Sequence, residues 1–410
     1  MDVAARIEIV RELCSFENRL AGTDAERRAA MRVAERLRGL GRRAEIEPIT
    51  VHPQYGYVHA AHCLLGFVGS LVAVEIPALG FGLVLLAATS MYLDLNYRIY
   101  LIRRLFFRRA SQYVLSPGRR PQAPARLVLC AHLDAARSGA VFSPGGARRA
   151  ARLSARFSWL GPFRILFWSL AVLLPLLGAR MAGVDSDAIS VLQLLPTLAL
   201  LIGVFALVEI ELSPVVAGAD DGASGVATAI SLAAELDAQP PDQLDVWILL
   251  VGGEQCQQEG MRAFARAQRK QLDRERTFFV VLDGVGHGEV RFETAGGWVV
   301  GSGLDRRLVE LCAAIAAADG EDGQRYSARP LRHGFGDDSI ALRLHGLRAI
   351  GLSCAEADGY VPHRHLPTDR PQTLEPAALE RAHGFALELV RELDRDLAGA
   401  AAADEAAPAR

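Results

Sequence analysis

Two long apolar stretches set the limits on what this chain can fold into. Residues 60–93 are interrupted mainly by Glu75 and Pro77, and residues 163–210 by a polar break from Arg180 to Asp187. One straight helix over the first stretch would be about 50 Å long, well beyond a hydrocarbon core of about 30 Å. A hairpin turning at Glu75-Ile76-Pro77 accounts for both the charge and the proline. The second stretch divides into arms 163–179 and 188–208, each long enough to span a bilayer. Buried core helices are the competing reading, but four apolar arms in two back-to-back pairs exceed what one core usually needs. The expectation is therefore two transmembrane helical hairpins. Each returns the chain to the side it left, so everything outside them shares one membrane face.

Arginines choose that face. Arg98, Arg103, Arg104, Arg108 and Arg109 follow the first hairpin, and Arg148, Arg149, Arg152, Arg156 and Arg164 precede or open the second. The far turns carry Glu75, Arg180, Asp185 and Asp187. The positive-inside rule makes this an integral protein of the inner or plasma membrane with its polar domain in the cytoplasm. Residues 97–109 alternate apolar residues and arginine in helical fashion, as a helix lying on anionic lipid or as a solvated basic helix end. The first residues, Met1-Asp2-Val3, are followed by charge and no apolar run, unlike a signal peptide.

The polar segments read as one α/β unit. Residues 24–40 form a helix that Asp24 can cap and Gly41 stops. Residues 43–51 alternate like a strand. Short apolar runs at 126–130, 245–251, 277–282 and 348–352 read as buried parallel strands. Helical patterns at 7–19, 223–236, 260–271, 304–318 and 375–393 complete the set. This predicts a three-layer αβα sandwich around a mixed, largely parallel sheet, with ligands at the carboxyl ends of the strands. The expected division is 1–58 for the first part of the α/β domain and 59–94 for the first hairpin. Residues 95–162 are a basic juxtamembrane segment and a strand with the first metal motif, and 163–211 the second hairpin. The main part of the domain is 212–397, and 398–410 a disordered tail.

Charge and cysteine usage narrow the function. The net charge of −2 gives no electrostatic case for nucleic acid. Six cysteines with no CxxC fit a reducing compartment. HExxH, GxSxG, a Walker A loop and a strand-borne GxGxxG are all absent from the sequence.

The predicted strand ends carry chemistry. Ala131-His132-Leu133-Asp134 follows the first buried strand, Gly252-Gly253-Glu254-Gln255 the second, and Asp283-Gly284 the third. Gly218-Ala219-Asp220-Asp221-Gly222 precedes a helix, and His363-Arg364-His365-Leu366-Pro367-Thr368-Asp369 lies beyond the last strand. Singly, each has a plainer reading: a hydrogen-bonded core histidine, a helix cap, a turn, an exposed loop. Together and in order, histidines and carboxylates without cysteine make the ligand set of a hydrolytic zinc site.

With Asn18-Arg19-Leu20-Ala21-Gly22-Thr23, these stretches make the chain resemble metallopeptidase family M28, the co-catalytic zinc aminopeptidases, as a membrane-embedded variant. That family also includes glutamate carboxypeptidase and, more distantly, glutaminyl cyclase. The resemblance implies two zinc sites. His132 and Asp283 would serve the first, Asp221 would bridge, and His365 would serve the second. Asp134 would orient the His132 imidazole, and Glu254 would be the general base. Asp369 and Asp338 would support the ligands. One departure stands out: the family has Glu-Glu where this chain has Glu254-Gln255. A neutral Gln255 is a poorer ligand, so the second site should be weak, altered or empty, unless Glu259 substitutes from one helical turn on. The leading expectation is a zinc-dependent aminopeptidase acting on a peptide or small protein, with the lipid bilayer as its other partner. A single-zinc glutaminyl-cyclase-like acyl transferase and a catalytically impaired receptor or scaffold are the alternatives.

Overall fold

The computed structural model of the chain describes residues 1–156, 161–184, 186–319, 325–332 and 334–406, so Asp185 and residues 407–410 lie outside it. The chain opens with helices α1 (Val3–Cys14) and α2 (Asp24–Gly39), then strand β1 (Glu45–Val51). The first apolar stretch follows as α3 (Tyr55–Val72) and α4 (Pro77–Leu95). Strands β2 (Arg109–Ser116) and β3 (Ala125–His132) return it to the sheet. Helix α5 (Pro144–Arg156) leads to the second apolar pair, α6 (Pro162–Met181) and α7 (Asp187–Leu212). Then come α8 (Gly225–Ala238), β4 (Leu244–Val251), α9 (Glu259–Ala267), β5 (Thr277–Leu282), β6 (Glu289–Gly296) and β7 (Ser302–Gly303). The chain finishes with α10 (Arg306–Ala318), β8 (Arg329–Arg332), α11 (Asp338–Leu344), β9 (Arg348–Ala355) and α12 (Pro376–Ala406).

The sheet runs β1-β2-β4-β3-β5-β9-β6-β7, with β8 beside β6. Its centre, β4-β3-β5-β9, is parallel, and the flanks β1-β2-β4 and β9-β6-β7 are antiparallel. Alternate residues of each central strand feed two cores. Leu127, Leu129, Ile248, Val280 and Ile350 pack beneath α1, α2, α8, α10 and α12. Val128, Cys130, Leu249, Phe279 and Val281 pack beneath α9 and α11. A sheet buried on both faces needs continuous apolar strands, and that is why these four could be read from sequence.

Several expectations shift. Thr23, not Asp24, caps α2: its Oγ1 accepts the Glu26 N–H at 3.3 Å, while Glu26 Oε2 accepts the Gly22 N–H at 2.8 Å. Residues 97–109 do not form an amphipathic helix; only a single 3₁₀ turn, Ile102–Leu105, is helical. The pattern misleads because Arg103 points inward to Asp94, at 2.9 Å, and residue 109 onward is claimed by β2. The final helix continues past residue 393 to Ala406, carried by strong helix formers, so the segment expected as a tail is helical that far.

The two apolar pairs form one four-helix bundle. α3 packs on α4 and α7, and α6 on the same two partners. The first turn lies between Val72 and Pro77, with Pro77 at the start of α4. Small residues bring the backbones close: a Cβ on Gly80 would lie 2.4 Å from the Gly69 carbonyl oxygen. Polar side chains pair across helices, as Ser70 Oγ with Thr197 Oγ1 at 2.6 Å and Gln193 Nε2 with the Ser70 carbonyl at 2.7 Å. Outward stand bare apolar residues, among them Leu195 at 76 %, Phe205 at 68 % and Ile202 at 67 % exposure. All four helices are long and apolar enough to cross a membrane.

Candidate active site

Each central strand delivers one group to the carboxyl edge of the sheet. β3 ends on His132, which is in register with Val251 of β4, three residues before Glu254. β5 ends on Leu282, opposite Leu352, and Asp283 follows. Asp221 comes from the tight turn between α7 and α8. That turn requires Gly222: its φ is +99°, and a Cβ there would lie 2.7 Å from His132 Cε1. Asp369 accepts the backbone N–H groups of Asp220 and Asp221 at 2.7 and 3.3 Å. Asp220 is spent on structure, facing His287 Nδ1 at 2.9 Å and accepting from Gly286 N at 2.6 Å. Asp221 is left for the site.

The side chains converge. His132 Nε2 lies 3.1 Å from Asp283 Oδ1 and 3.4 Å from Asp221 Oδ1. His365 Nε2 lies 2.9 Å from the other oxygen, Asp221 Oδ2. Ligand atoms of His132, Asp221 and Asp283 all fall within 4.8 Å of one another. His132 Nδ1 sits 3.0 Å from the carbonyl oxygen of Asp134. The Asp134 carboxylate, expected to orient the imidazole, is 3.5 Å away and mainly accepts the N–H groups of Glu254 and Gln255 at 3.1 and 2.9 Å. It therefore holds the turn that carries Glu254.

A cation fits these residues. His365 Nδ1 is buried without a hydrogen-bond partner among the described residues, and Asp221 Oδ1 and His365 Nε2 face other ligand-type side chains, His132 and Asp221 respectively. Five carboxylates, from Asp134, Asp221, Glu254, Asp283 and Asp338, gather around two imidazoles and Arg364 Nη2, which reaches Asp283 Oδ2 at 3.3 Å. Burial opposes the charged form of His132, yet Asp283, Asp134 and Asp221 raise its pKa well above the ordinary value. Asp221 is driven the other way: burial raises it, but His365 and His132 hold it well below the usual carboxylate range. Burial pushes Glu254 well up; His132 opposes this, and Asp283, Asp338 and Asp221 add to it. Both oxygens of Asp338 lack hydrogen-bond partners among the described residues, and burial takes its carboxyl up to about 7, His132 opposing and Asp134 and Asp283 reinforcing.

Residues 203–390 match peptidase family M28. The M28-matched segment holds Asp221, Glu254, Gln255, Asp283 and His365; His132 and Asp134 precede it. The fold is shared with solved structures. A leucine aminopeptidase precursor from Bacteroides thetaiotaomicron is 14% identical, covering 95% of this chain and 97% of that one, with a TM-score of 0.54. A Zn-dependent exopeptidase from Parabacteroides distasonis is 12% identical, with coverage of 95% and 99% and a TM-score of 0.53. Fimbriiglobus ruber glutaminyl cyclase is 15% identical, with coverage of 95% and 95% and a TM-score of 0.53. No curated protein matches the sequence.

The segment after Glu254 is tied to the first apolar pair. Gln257 and Gln258 both adopt left-handed backbone, with φ of 59°, which costs a non-glycine residue about 1 kcal/mol or more. Their side chains offset it by meeting the inserted segments. Gln257 Oε1 accepts from His59 Nε2 of α3 at 2.8 Å and from Arg103. Gln258 Oε1 accepts from Tyr97 Oη at 2.6 Å and Trp298 Nε1 at 3.1 Å, and Gln258 Nε2 donates to Glu254 Oε1 at 2.7 Å. Glu259 cannot replace Gln255 as a ligand. The turn is not helical before Glu259, and its carboxylate is held by His52 Nδ1 at 3.0 Å and Arg103 Nη1 at 3.4 Å. Gln255 itself donates from Nε2 to Asp221 Oδ2 at 3.2 Å.

Sequence reading missed three supporting residues. Arg19 is buried and donates to three carbonyls, of Leu133 and Leu13 at 2.6 Å and Gly218 at 3.1 Å, tying together the loops that carry His132 and Asp221. Arg364 was visible only as the residue between two histidines. Gln258 gave no signal, since its partners are distant in sequence.

Proposed function

We propose that the protein is a membrane-anchored, zinc-dependent aminopeptidase of the M28 type that hydrolyses N-terminal peptide bonds. The observation that carries this reading is Asp221, whose two oxygens reach His132 on one side and His365 on the other, with Asp283 beside His132. His132, Asp221 and Asp283 would hold a first zinc, and Asp221, His365 and Gln255 a weaker second one. Zinc, when bound, supplies an acidified water and polarises the scissile carbonyl. Glu254 Oε1 is engaged by Gln258, leaving Oε2 as the oxygen that takes a proton and returns it to the departing amine. Burial makes that carboxylate a stronger base than one in water. Asp134 fixes the turn so that Glu254 faces the ligands.

The four apolar helices, their bare outward faces and the arginines at their α/β end support a bilayer-spanning bundle with the catalytic domain in the cytoplasm. The second reading, a single-zinc glutaminyl-cyclase-like acyl transferase, is favoured by the Gln255 amide, which occupies Asp221 Oδ2 instead of offering a carboxylate.

Elemental mass spectrometry of the detergent-purified chain, with two activity assays, tests both. The expected result is bound zinc and release of a chromogenic amine from aminoacyl anilides, with Glu254→Gln losing about 10²–10⁴-fold in rate while keeping its metal. Cyclisation of N-terminal glutaminyl peptides without amine release selects the second reading. A metal-free, inactive protein overturns both and leaves a scaffold.

A further inference from the structure

Where the first hairpin rejoins the α/β domain, the chain forms an open basic pocket that the candidate active site does not use. Its volume is about 480 Å³, and residues of β1, of the segment after α4 and of α9 line it. Five of the lining residues are arginines: Arg98, Arg104, Arg108, Arg262 and Arg266. The one lining carboxylate, Glu259, is already shared by His52 and by Arg103, which Asp94 also binds through both oxygens. Arg98, Arg104, Arg108 and Arg266 are exposed and form no ion pair among the described residues.

Arg262 is the unusual member. It is 1 % exposed, and its Nε has no hydrogen-bond partner among the described residues. Its guanidinium lies over the rings of Tyr97 and Tyr100, at 4.8 and 4.6 Å, and among the described residues its side chain donates only to the Tyr100 hydroxyl. Glu259 acts on it only at longer range, and a buried guanidinium with no carboxylate in hydrogen-bond contact is costly unless an anion reaches it. Its planar fork of donors matches phosphate oxygens in pairs.

The segment after α4 says which phosphate. Ile99 lines the pocket, and Leu101, Leu105 and Phe107 of the same segment also stand open, the four at 49, 38, 83 and 49 % exposure. A small soluble anion has no use for them, whereas a phospholipid offers acyl chain beside its headgroup. The cavity begins three residues after Leu95, the end of an apolar helix. We infer that this cavity binds the phosphate headgroup of an anionic phospholipid from the leaflet facing the α/β domain. The inference rests on the bilayer-spanning reading of the four helices.

Native mass spectrometry of the full chain in detergent, titrated with phosphatidylglycerol, phosphatidylcholine or inorganic phosphate, tests it. The exposed-arginine variant Arg98→Gln/Arg104→Gln/Arg108→Gln is compared with Arg27→Gln/Arg28→Gln/Arg32→Gln on α2, which removes equal charge elsewhere. Phosphatidylglycerol should be retained one per chain in preference to phosphatidylcholine, at least tenfold more weakly in the cavity variant and unchanged in the α2 variant. Equal retention of both lipids, or equal loss in both variants, overturns the site. Displacement of the lipid by millimolar inorganic phosphate overturns the lipid assignment in favour of a free anion. Flotation with vesicles of phosphatidylcholine alone separates the two levels. A chain that fails to float overturns the bilayer reading; one that floats without lipid preference overturns only the headgroup site.

Discussion

Gln255 donates its side-chain amide to Asp221, Nε2 to Oδ2 at 3.2 Å, on the same oxygen that His365 approaches at 2.9 Å. An amide N–H turned toward a metal-binding oxygen competes with the metal. In Gln255→Glu that donor becomes a second carboxylate facing Asp221, and the two repel unless a cation lies between them. Metal content should rise toward two per chain, with affinity at the second site improved about tenfold or more. Unchanged stoichiometry by elemental mass spectrometry would remove Gln255 from the site.

Glu26 gives the metal-free protein a pH signature. Burial, with the nearby Asp134 charge, takes its carboxyl up to about 8 in the folded state, against about 4.3 unfolded. Between these values the folded state holds the extra proton, so its stabilising effect is full below about pH 4 and is lost as pH rises toward 8. Glu26→Gln removes the titration while keeping an oxygen for the Gly22 N–H, which Glu26 Oε2 accepts at 2.8 Å, and its amide can donate to Ser111 Oγ. Its melting temperature should exceed that of the parent at pH 8 and match it at pH 4. Parallel melting curves across that range would contradict the assignment.

Arg19 is the bolt between two loops. Arg19→Met leaves the Leu133, Leu13 and Gly218 carbonyls without their donor, at a cost of about 3 kcal/mol. Because those loops carry His132 and Asp221, zinc should leave at lower chelator concentrations than in the parent. A variant that melts lower but keeps parental zinc affinity would reduce Arg19 to a purely structural role.

Ile202 distinguishes lipid from water around α7. It is 67 % exposed, so on a water-facing helix Ile202→Arg would be nearly neutral. Facing hydrocarbon, the same change costs about 2.5–3.5 kcal/mol of insertion. The variant should show reduced membrane-fraction yield, whereas Arg27→Gln on α2 should not. Equal yields would argue against a bilayer.

What could be read from sequence was whatever repeated or stood at the end of a pattern. Val246 to Val251 and Thr277 to Leu282 are apolar without a break, and the residues after them, Glu254 and Asp283, inherited their position from the strand. β2 and β6 escaped because their buried faces include polar residues satisfied by remote partners. Ser111 of β2 donates to Glu26, and Arg291 of β6 donates to the Glu356 carbonyl at 2.9 Å. The segment 97–109 misled because periodicity cannot reveal that Arg103 is bound to Asp94. Gln257 and Gln258 formed no readable pattern, and only the fold shows what they touch.

Those two glutamines also limit how the protein can be handled. A soluble version made by cutting out the apolar helices would remove His59, and trimming the connecting segment would remove Tyr97 and Arg103 as well. The loop bearing Glu254 would then keep two residues in left-handed backbone after losing the contacts to His59, Tyr97 and Arg103, with Gln258 still held by Trp298 and Glu254. Excision would disturb the candidate active site along with releasing the α/β domain from the bundle.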